Sequence, residues 1–425
     1  MRSPFTPVVE TIAPARLGRN FRWLLGESLI TNFGDGVALA AGPLLVASQT
    51  RDPLLVSFAV LSQTIPKLIF GAPAGAIADR FDRRRIVALV NLGRAIVLAI
   101  LAATIVTNTI SIAFILAALF VLGTSETFAD VGTSSLLPAV VPHVDLGIAN
   151  ARLQGSFLLV NQLVVPPIGA LLFAIGMALP FATNAACFAL GALLVTRVVL
   201  TQPEVRPERK DTSLRQDMSE GIRWLWAHPP MRTLFITIVA FNVTFGAAWS
   251  VLVLYASERL GMDEVGFGLI TTAMAIGGIV GTSSYGALER RFALGDIMRV
   301  GLLIETGTHL VLALTTLPVV ALATFTVFGA HAFVWHTTST TVRQRAVPDE
   351  LMGRVTGVYT VGVFGGIVVG TPLGGLLARE LGITAPFWFG FIGSALLVAI
   401  LWRQFDKIAH AGDAHPAPAP VAPTA

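Results

Sequence analysis

The chain has 425 residues, of which 54% are hydrophobic and 13% are charged, and its mean hydropathy is +0.75. Soluble domains carry about a quarter charged residues, so this composition excludes an ordinary soluble protein and indicates a polytopic membrane protein. The pI of 9.7 would suit a nucleic-acid partner. However, the arginines cluster in short turns between apolar stretches, where basic residues set membrane topology, so we expect no nucleic-acid partner. The single cysteine, Cys187, excludes an intramolecular disulfide and a cysteine-based metal cluster.

Twelve apolar segments follow a short polar lead. Most of them reach the roughly 20 residues that a bilayer core requires, and we expect no removable signal peptide before the first. The sequence therefore predicts an all-α polytopic membrane protein with twelve transmembrane helices. We place the spans at residues 21–47, 53–76, 86–107, 111–136, 146–175, 178–200, 232–256, 265–288, 297–317, 319–342, 354–378 and 385–402.

The turns between the spans are basic on one side of the membrane only. That side carries the loop around Arg83, the central linker, the pairs at 290–291 and 343–345, and both termini. Because Arg and Lys accumulate in cytoplasmic loops, we expect both termini in the cytoplasm of a bacterium whose inner membrane holds the protein.

The sequence repeats itself with six spans and the same orientation in each half. Residues 75–81 match 286–292, and residues 165–172 match 370–377, with offsets of 211 and 205 residues. Parallel repeats of this kind predict two bundles related by an axis along the membrane normal. We therefore predict a six-helix bundle over 1–200, a cytoplasmic linker over 201–231 with an amphipathic helix at 213–227, a second bundle over 232–404, and a disordered cytoplasmic tail over 405–425.

Residues 75–85 read GAIADRFDRRR and form a short basic turn between the second and third spans. The turn resembles the Gly-x-x-x-Asp-Arg-x-Gly-x-Arg-Arg loop between the second and third helices of major facilitator superfamily transporters, with Asp82 at the second glycine. The resemblance implies a gating loop, and the plainer interpretation is a positive-inside turn without a gating role. The matching residues are Gly75, Asp79, Arg80, Arg84 and Arg85.

Four further stretches resemble the exporter branch of this superfamily that includes enterobactin exporters and macrolide efflux proteins. They are NFGD at 32–35, DMSEGIRWL at 217–225, TVRQRAVPDELMGRV at 341–355, and the degenerate antiporter motif VPPIGA at 165–170. The resemblance covers nearly the whole chain. It implies twelve helices, alternating access and export driven by the proton gradient.

Ionisable residues inside the spans are costly and are therefore functional candidates. At about 1.5 Å per residue, Glu27 lies roughly 10 Å from the inner edge, and Lys67, Arg94 and Glu126 lie at about 12 to 15 Å. Two acids and two bases thus share one layer, and we interpret them as mutually neutralising pairs. A static ion-pair network and a gating role are both open.

Asp35 lies higher, at roughly 22 Å along the first span, with no evident cation at its depth. A poorly solvated carboxylate suits reversible protonation, so Asp35 is the first candidate for proton coupling. A hydrated carboxylate near the outer vestibule is the alternative. Asp130 lies near the inner surface, where it can pair with Arg80 or Arg84 and lock an inner gate.

The second half carries fewer charges within its spans. Glu305 and His309 are four residues apart and can contact each other, which makes them further proton-coupling candidates, although buried histidines often serve only packing. Aromatic and amide side chains that can line a substrate cavity, or serve as packing and interfacial anchors, are Asn32, Gln63, Asn161, Asn242, Phe245, Trp249, His331 and Trp335.

These features favour a secondary active transporter that exports small amphiphilic molecules such as a drug, an antibiotic or a siderophore by proton antiport. An uptake symporter for a polar nutrient and a non-transporting receptor of the same fold are the alternatives. Because the nucleotide-binding loop and the common hydrolase motifs are absent, we expect no enzyme and no primary pump. We expect no metal and no cofactor, and we expect the protein to act as a monomer.

Overall fold

The computed structural model describes residues 14–78, 81–199 and 214–408. Twelve helices in these ranges are long and apolar enough to cross a membrane, which confirms the predicted all-α polytopic fold. The first six are α1 (Gly18–Gln49), α2 (Pro53–Ala78), α3 (Arg83–Val106), α4 (Ile112–Val140), α5 (Leu146–Ile175) and α6 (Leu179–Thr196). After the linker helix α7 (Leu214–Ala227), the others are α8 (Pro229–Trp249), α9 (Glu264–Arg291), α10 (Leu294–Leu314), α11 (Pro318–Ala346), α12 (Asp349–Leu381) and α13 (Ala385–Leu401).

Local sequence signals set several helix starts. Asp82 caps α3, because its side chain accepts hydrogen bonds from the backbone N–H groups of Arg84 and Arg85. Ser111 caps α4 and Asp263 caps α9 in the same way. Prolines occupy the first helical positions of α8, α11 and α13, where a missing N–H leaves no hydrogen bond unmade.

The seventh predicted span extends too far. It was placed at 232–256, but α8 ends at Trp249 and the chain continues through a short turn, Leu252–Leu254, and a wide helical turn, Tyr255–Arg259. The apolar residues 251–256 are buried against the rest of the protein, and the Tyr255 hydroxyl donates to the Leu312 carbonyl at 2.6 Å. Their hydrophobicity therefore serves protein packing, which hydropathy alone does not separate from burial in lipid.

Helix α5 is interrupted by a π-helical segment, Phe157–Val164, immediately before Pro166 and Pro167. In a regular α-helix, the carbonyl of Leu163 would accept from residue 167, but proline has no N–H to donate. This carbonyl instead accepts from the Thr272 hydroxyl of α9 at 2.8 Å. The prolines of the degenerate motif thus leave a backbone group that joins the two halves of the chain.

Small residues bring α8 and α12 into close contact. Three glycines of α12, spaced four residues apart, face backbone carbonyls of α8: Gly366, Gly370 and Gly374. A Cβ at Gly366 would lie 2.7 Å from the carbonyl oxygen of Val239. Side chains at these positions would push the two helices apart, as expected for membrane helices that pack through small residues.

The two halves meet at only one end of the described structure. We call the end that carries residues 14 and 408 the terminal face and the other end the opposite face. At the opposite face, one apolar core contains residues of both halves, and a Cβ at Gly375 of α12 would lie 2.9 Å from the Cα of Leu54 in α2. At the terminal face, the described residues form two separate apolar cores, one in each half. Within the described residues, no apolar core at the terminal face is shared by the two halves.

The linker helix α7 is tied to the second half. Arg354 of α12 donates to Asp217 at 2.8 Å and lies 2.6 Å from a carboxylate oxygen of Glu220. Leu225 is fully buried, whereas Ile222 and Trp226 are exposed. This arrangement leaves an apolar edge of α7 available to the membrane surface.

The end of the chain differs from the prediction. The tail was predicted to be disordered from residue 405, but a helical turn covers Trp402–Lys407, and both Phe405 and Ile408 are buried in the core of the second half. Two apolar side chains three residues apart are enough to dock this turn. Residues 201–213 of the predicted linker and residues 409–425 of the predicted tail lie outside the described residues.

Candidate functional site

A buried arginine in the first half lies between an acid and an aromatic ring. Arg94, midway along α3, donates to Asp35 of α1 at 2.5 Å. Its guanidinium also lies 3.7 Å from the ring centroid of Phe188 in α6. The Arg94 side chain is 6% exposed and that of Asp35 is 31% exposed, so water reaches the Asp35 carboxylate but hardly reaches the Arg94 guanidinium.

A second ion pair joins α2 and α4. The ammonium of Lys67 lies 2.9 Å from Glu126, and the two side chains are 28% and 34% exposed. Both residues lie near the middle of their helices. The first half therefore carries two acid–base pairs at mid-depth, each joining a different pair of helices.

Two expectations about these acids were wrong. Asp35 was expected to have no cation at its depth, yet Arg94 contacts it. Glu27 was expected to belong to a neutralising acid–base pair, yet one of its oxygens accepts from the Asn91 amide at 3.0 Å, and the other has no partner among the described residues. Depth counted from the start of an apolar run ignores helix tilt and the reach of an arginine side chain. Asp35 is in fact close to the middle of the 32-residue helix α1.

The basic turn before α3 is organised by Asp82. Besides capping the helix, this carboxylate lies 3.6 Å from the guanidinium groups of both Arg84 and Arg85. Arg84 also donates to the Val198 carbonyl at the end of α6, at 3.1 Å. Of the two arginines expected to pair with Asp130, Arg84 contacts Asp82 and Val198 instead, because an acid two residues away holds it, and Arg80 lies outside the described residues. Asp130 is exposed on α4.

Two residues of the predicted gating motif, Asp79 and Arg80, lie outside the described residues. Gly75 is helical within α2. Sequence reasoning treated Asp82 only as a departure from the motif. An aspartate directly before a helix is a common N-cap, and that signal would have identified its role.

The second half contains a buried acid between two histidines. Glu305 and His309 of α10 are in contact at 2.9 Å, and His331 of α11 lies 3.9 Å from the other Glu305 oxygen. All three residues are at most 5% exposed. His331 was expected to line the cavity but is enclosed by the edges of Phe241, Phe328 and Trp335. No group of three acidic, histidine or cysteine side chains within the described ranges is arranged to hold a metal ion.

An aromatic row runs along α8 and continues onto α11. Trp249, Phe245 and Phe241 stack at centroid distances of 5.0 and 6.0 Å, and Phe241 is nearly parallel to Trp335 at 6.4 Å. The row extends from the opposite face towards a pocket that lies nearer the terminal face. Flat, parallel rings of this kind form a wall against which another planar group can stack.

The pocket at the end of this row has a volume of about 340 Å³. It lies between α8, α11 and α12, towards the terminal face. Its polar lining comes from Asn242, His336, Ser339, Arg343 and Tyr359, among others. Ser339 and Tyr359 share a hydrogen bond of 2.6 Å.

The eight residues predicted to line a substrate cavity lie in different surroundings. Of the eight, Asn242 and Trp335 line the pocket, and Phe245 and Trp249 belong to the aromatic row above it. The amides of Asn32 and Gln63 donate within their own helices, to Ser28 and to the Ala59 carbonyl. Asn161 is buried in the π-helical segment of α5 and accepts from the neighbouring Gln162.

Sequence reasoning missed Ser339, Arg343 and Tyr359. Together with Trp335, the first two recur every four residues on one face of α11, a spacing that the sequence itself displays. Arg343 was assigned only to the basic side of the membrane.

Twelve membrane helices in two halves, with charges at mid-depth, form the architecture of a transporter of the major facilitator superfamily. Over residues 9–420 the chain matches the family model described as transmembrane secretion effector, and it belongs to that family. It is therefore a multi-pass membrane protein with a small-molecule substrate.

Curated relatives and a solved structure agree with this assignment. The chain is 27% identical over 382 residues to the multidrug efflux pump Tap of Mycolicibacterium fortuitum, covering 86% of this chain and 90% of the relative. It is 25% identical over 414 residues to the enterobactin exporter EntS of Shigella boydii, covering 91% and 93%. A mutant of the nucleoside transporter NupG has the same fold, with a TM-score of 0.77 at 11% identity over 91% of this chain and 100% of that one.

Proposed function

We propose that the protein exports small amphiphilic molecules, such as a drug, an antibiotic or a siderophore, across a bacterial inner membrane by proton antiport. The observation that carries the proposal is the pair of acid–base contacts at mid-depth in the first half, Asp35 with Arg94 and Lys67 with Glu126. Charges are retained inside membrane spans at a cost, and proton transfer is a common reason for keeping them. The relatives named as a multidrug efflux pump and an enterobactin exporter support the direction of transport.

Alternating access accounts for an apolar core that the two halves share at the opposite face and, within the described residues, not at the terminal face. We propose that the bundles over 1–200 and 232–404 rock against each other, with the linker over 201–231 between them. Because basic turns favour the cytoplasmic side, we take the terminal face to be cytoplasmic and the described conformation to be open to the inside. The contacts at the opposite face, such as the Thr272 to Leu163 hydrogen bond, must then break before substrate is released outside.

Proton coupling needs an acid that changes its partner during this cycle. We propose Asp35 as the first coupling residue, because it is accessible to water on one side and bonded to a buried arginine on the other. Protonation of Asp35 would release Arg94, whose guanidinium would keep its contact with the Phe188 ring. Further candidates are Glu126, Glu27, Glu305 and His309.

The basic turn is proposed to stabilise the inner gate. Gly75, Asp79, Arg80, Arg84 and Arg85 match the family loop at this position, and Asp82 holds two of its arginines at the start of α3. Asp130 lies on α4 at the same end of the bundle. We propose that this turn changes its contacts when the halves meet at the terminal face.

The test is dye accumulation in inverted membrane vesicles with an imposed pH gradient, because an exporter in an inverted membrane moves its substrate into the vesicle. One cationic dye and one anionic dye are compared for the parent, for Asp35→Asn, and for a control, Asp52→Asn. Asp52 is a half-buried acid that precedes α2 and accepts from the backbone N–H of Leu54, a bond that asparagine can also accept. The proposal predicts that the parent moves at least one dye, that collapse of the gradient stops this movement, and that Asp35→Asn abolishes it while the control does not. Movement of neither dye would contradict broad export, and movement that persists without a gradient would contradict proton coupling.

A further inference from the structure

The 340 Å³ pocket between α8, α11 and α12 has an unusual charge balance. It is lined by Arg343 and by His336, Asn242 and hydroxyl-bearing side chains, and none of its described lining residues is acidic. A cation in this pocket would therefore meet no carboxylate from its described walls.

Arg343 carries the positive charge of the pocket. Its guanidinium lies 4.5 Å from the ring centroid of Tyr359, whose hydroxyl is bonded to Ser339. Within the described residues, no carboxylate lies at ion-pair distance from Arg343. Two residues further along α11, Arg345 contrasts with it, because Arg345 contacts Glu289 at 2.7 Å.

An arginine that is held by a ring but has no acid partner is suited to an anionic ligand. The planar guanidinium offers several N–H donors in a fixed geometry that matches carboxylate, sulfonate and phosphate groups. The Tyr359 ring positions the guanidinium without neutralising it. An anionic ligand would supply the missing counter-charge.

The other end of the pocket is aromatic. Phe241 and Trp335 are nearly parallel, with an interplanar angle of 8°, and continue the stacked row of α8. The Trp335 indole is 5% exposed, and its Nε1 has no hydrogen-bond partner among the described residues. A planar ring can stack against this wall.

We propose that this pocket binds planar aromatic anions, with the anionic group on Arg343 and the ring against Phe241 and Trp335. This proposal rests on the proposed function in one respect, because it takes the ligand of the pocket to be the transported molecule. It assigns a charge preference that general export of amphiphiles leaves open.

The experiment measures binding to the purified full-length protein by isothermal titration calorimetry. The probes are naphthalene-2-sulfonate and 2-naphthyltrimethylammonium, which share one ring system and carry permanent charges of opposite sign. We expect the anion to bind at least about tenfold more tightly, because a charge-assisted hydrogen bond is worth about a factor of ten or more. Equal binding of the two probes, tighter binding of the cation, or binding of neither would overturn the proposal.

Three variants locate the site. Arg343→Gln should weaken binding of the anion by about tenfold and remove the preference for the anion over the cation. Arg343→Lys should keep this preference because it keeps the charge. Arg345→Gln is the matched control and should bind both probes as the parent does. If Arg343→Gln binds the anion in preference to the cation as the parent does, the assignment of the site to Arg343 is overturned. If that variant fails to fold, the proposal is judged by whether the parent prefers the anion.

Binding and transport fail independently. If the anion binds through Arg343 but vesicles move no substrate, the pocket stands and the export proposal falls. If a pH gradient drives dye transport in the vesicles but the purified protein binds no aromatic anion, the export proposal stands and the pocket assignment falls.

Discussion

Replacing Arg94 with glutamine is expected to destabilise the protein strongly. The arginine side chain is 6% exposed, donates to Asp35 and covers the Phe188 ring at 3.7 Å. Removing one partner of a buried ion pair typically costs about 3–5 kcal/mol, because the other charge stays desolvated. Asp35 is 31% exposed and retains some hydration, so we expect the lower end of that range, about 3 kcal/mol.

The reverse change should cost less. In Asp35→Asn the guanidinium keeps its contact with the Phe188 ring and can still donate to the amide oxygen, so we expect a loss of about 2 kcal/mol. The double variant, Arg94→Gln with Asp35→Asn, has no uncompensated charge at this site. It should therefore be more stable than the sum of the single losses predicts, by about 1–3 kcal/mol.

The assay is thermal unfolding of the detergent-solubilised protein, with the four variants of the cycle measured in parallel. Arg379→Gln serves as control, since Arg379 and Glu380 form an exposed pair at the protein surface and such pairs contribute about 0–1 kcal/mol. Additive losses in the double variant would refute the reasoning, because they would show that the two side chains do not interact energetically.

Other predictions address the remaining contacts. Lys67→Met should destabilise by about 1–3 kcal/mol, less than Arg94→Gln because the pair is about one-third exposed, and adding Glu126→Gln should recover part of the loss in the same unfolding assay. Glu305→Gln should fold, since glutamine can still form a hydrogen bond with His309. If Glu305 takes part in coupling, the variant should slow gradient-driven transport by roughly tenfold. Unchanged transport would show that Glu305 has only a structural role. Gly375→Val should push α12 away from Leu54 and shift the protein away from the described conformation, which cysteine accessibility at the two faces would report. Thr272→Val should shift it in the same direction by about 1 kcal/mol, and an unchanged accessibility pattern would contradict both predictions.

The spans were predictable because each needs a long apolar run, and twelve such runs are visible in the sequence. The boundary errors have one cause. Hydropathy does not distinguish burial in lipid from burial in protein, so residues 251–256 were added to a span although they pack against both halves. The same ambiguity hid the docking of Phe405 and Ile408 at the end of the chain.

The site was predictable in its members but only partly in its contacts. Glu305 and His309 are in contact as their four-residue spacing suggests, because both lie on one helix. Partners on different helices depend on tilt and side-chain reach, and for this reason Asp35 was assigned no cation although Arg94 contacts it. His331 shows a further limit, since sequence cannot tell whether a polar residue faces a cavity or is buried behind its wall.

The measurement that tests the central claim most directly follows protons while substrate moves. Proteoliposomes with a trapped pH indicator are loaded with the dye that the efflux assay identifies, and dye is allowed to leave down its gradient. Antiport predicts that protons enter as the dye leaves, and that vesicles containing Asp35→Asn show neither movement. Protons leaving together with the dye would indicate symport, and dye movement without any pH change would contradict proton coupling altogether.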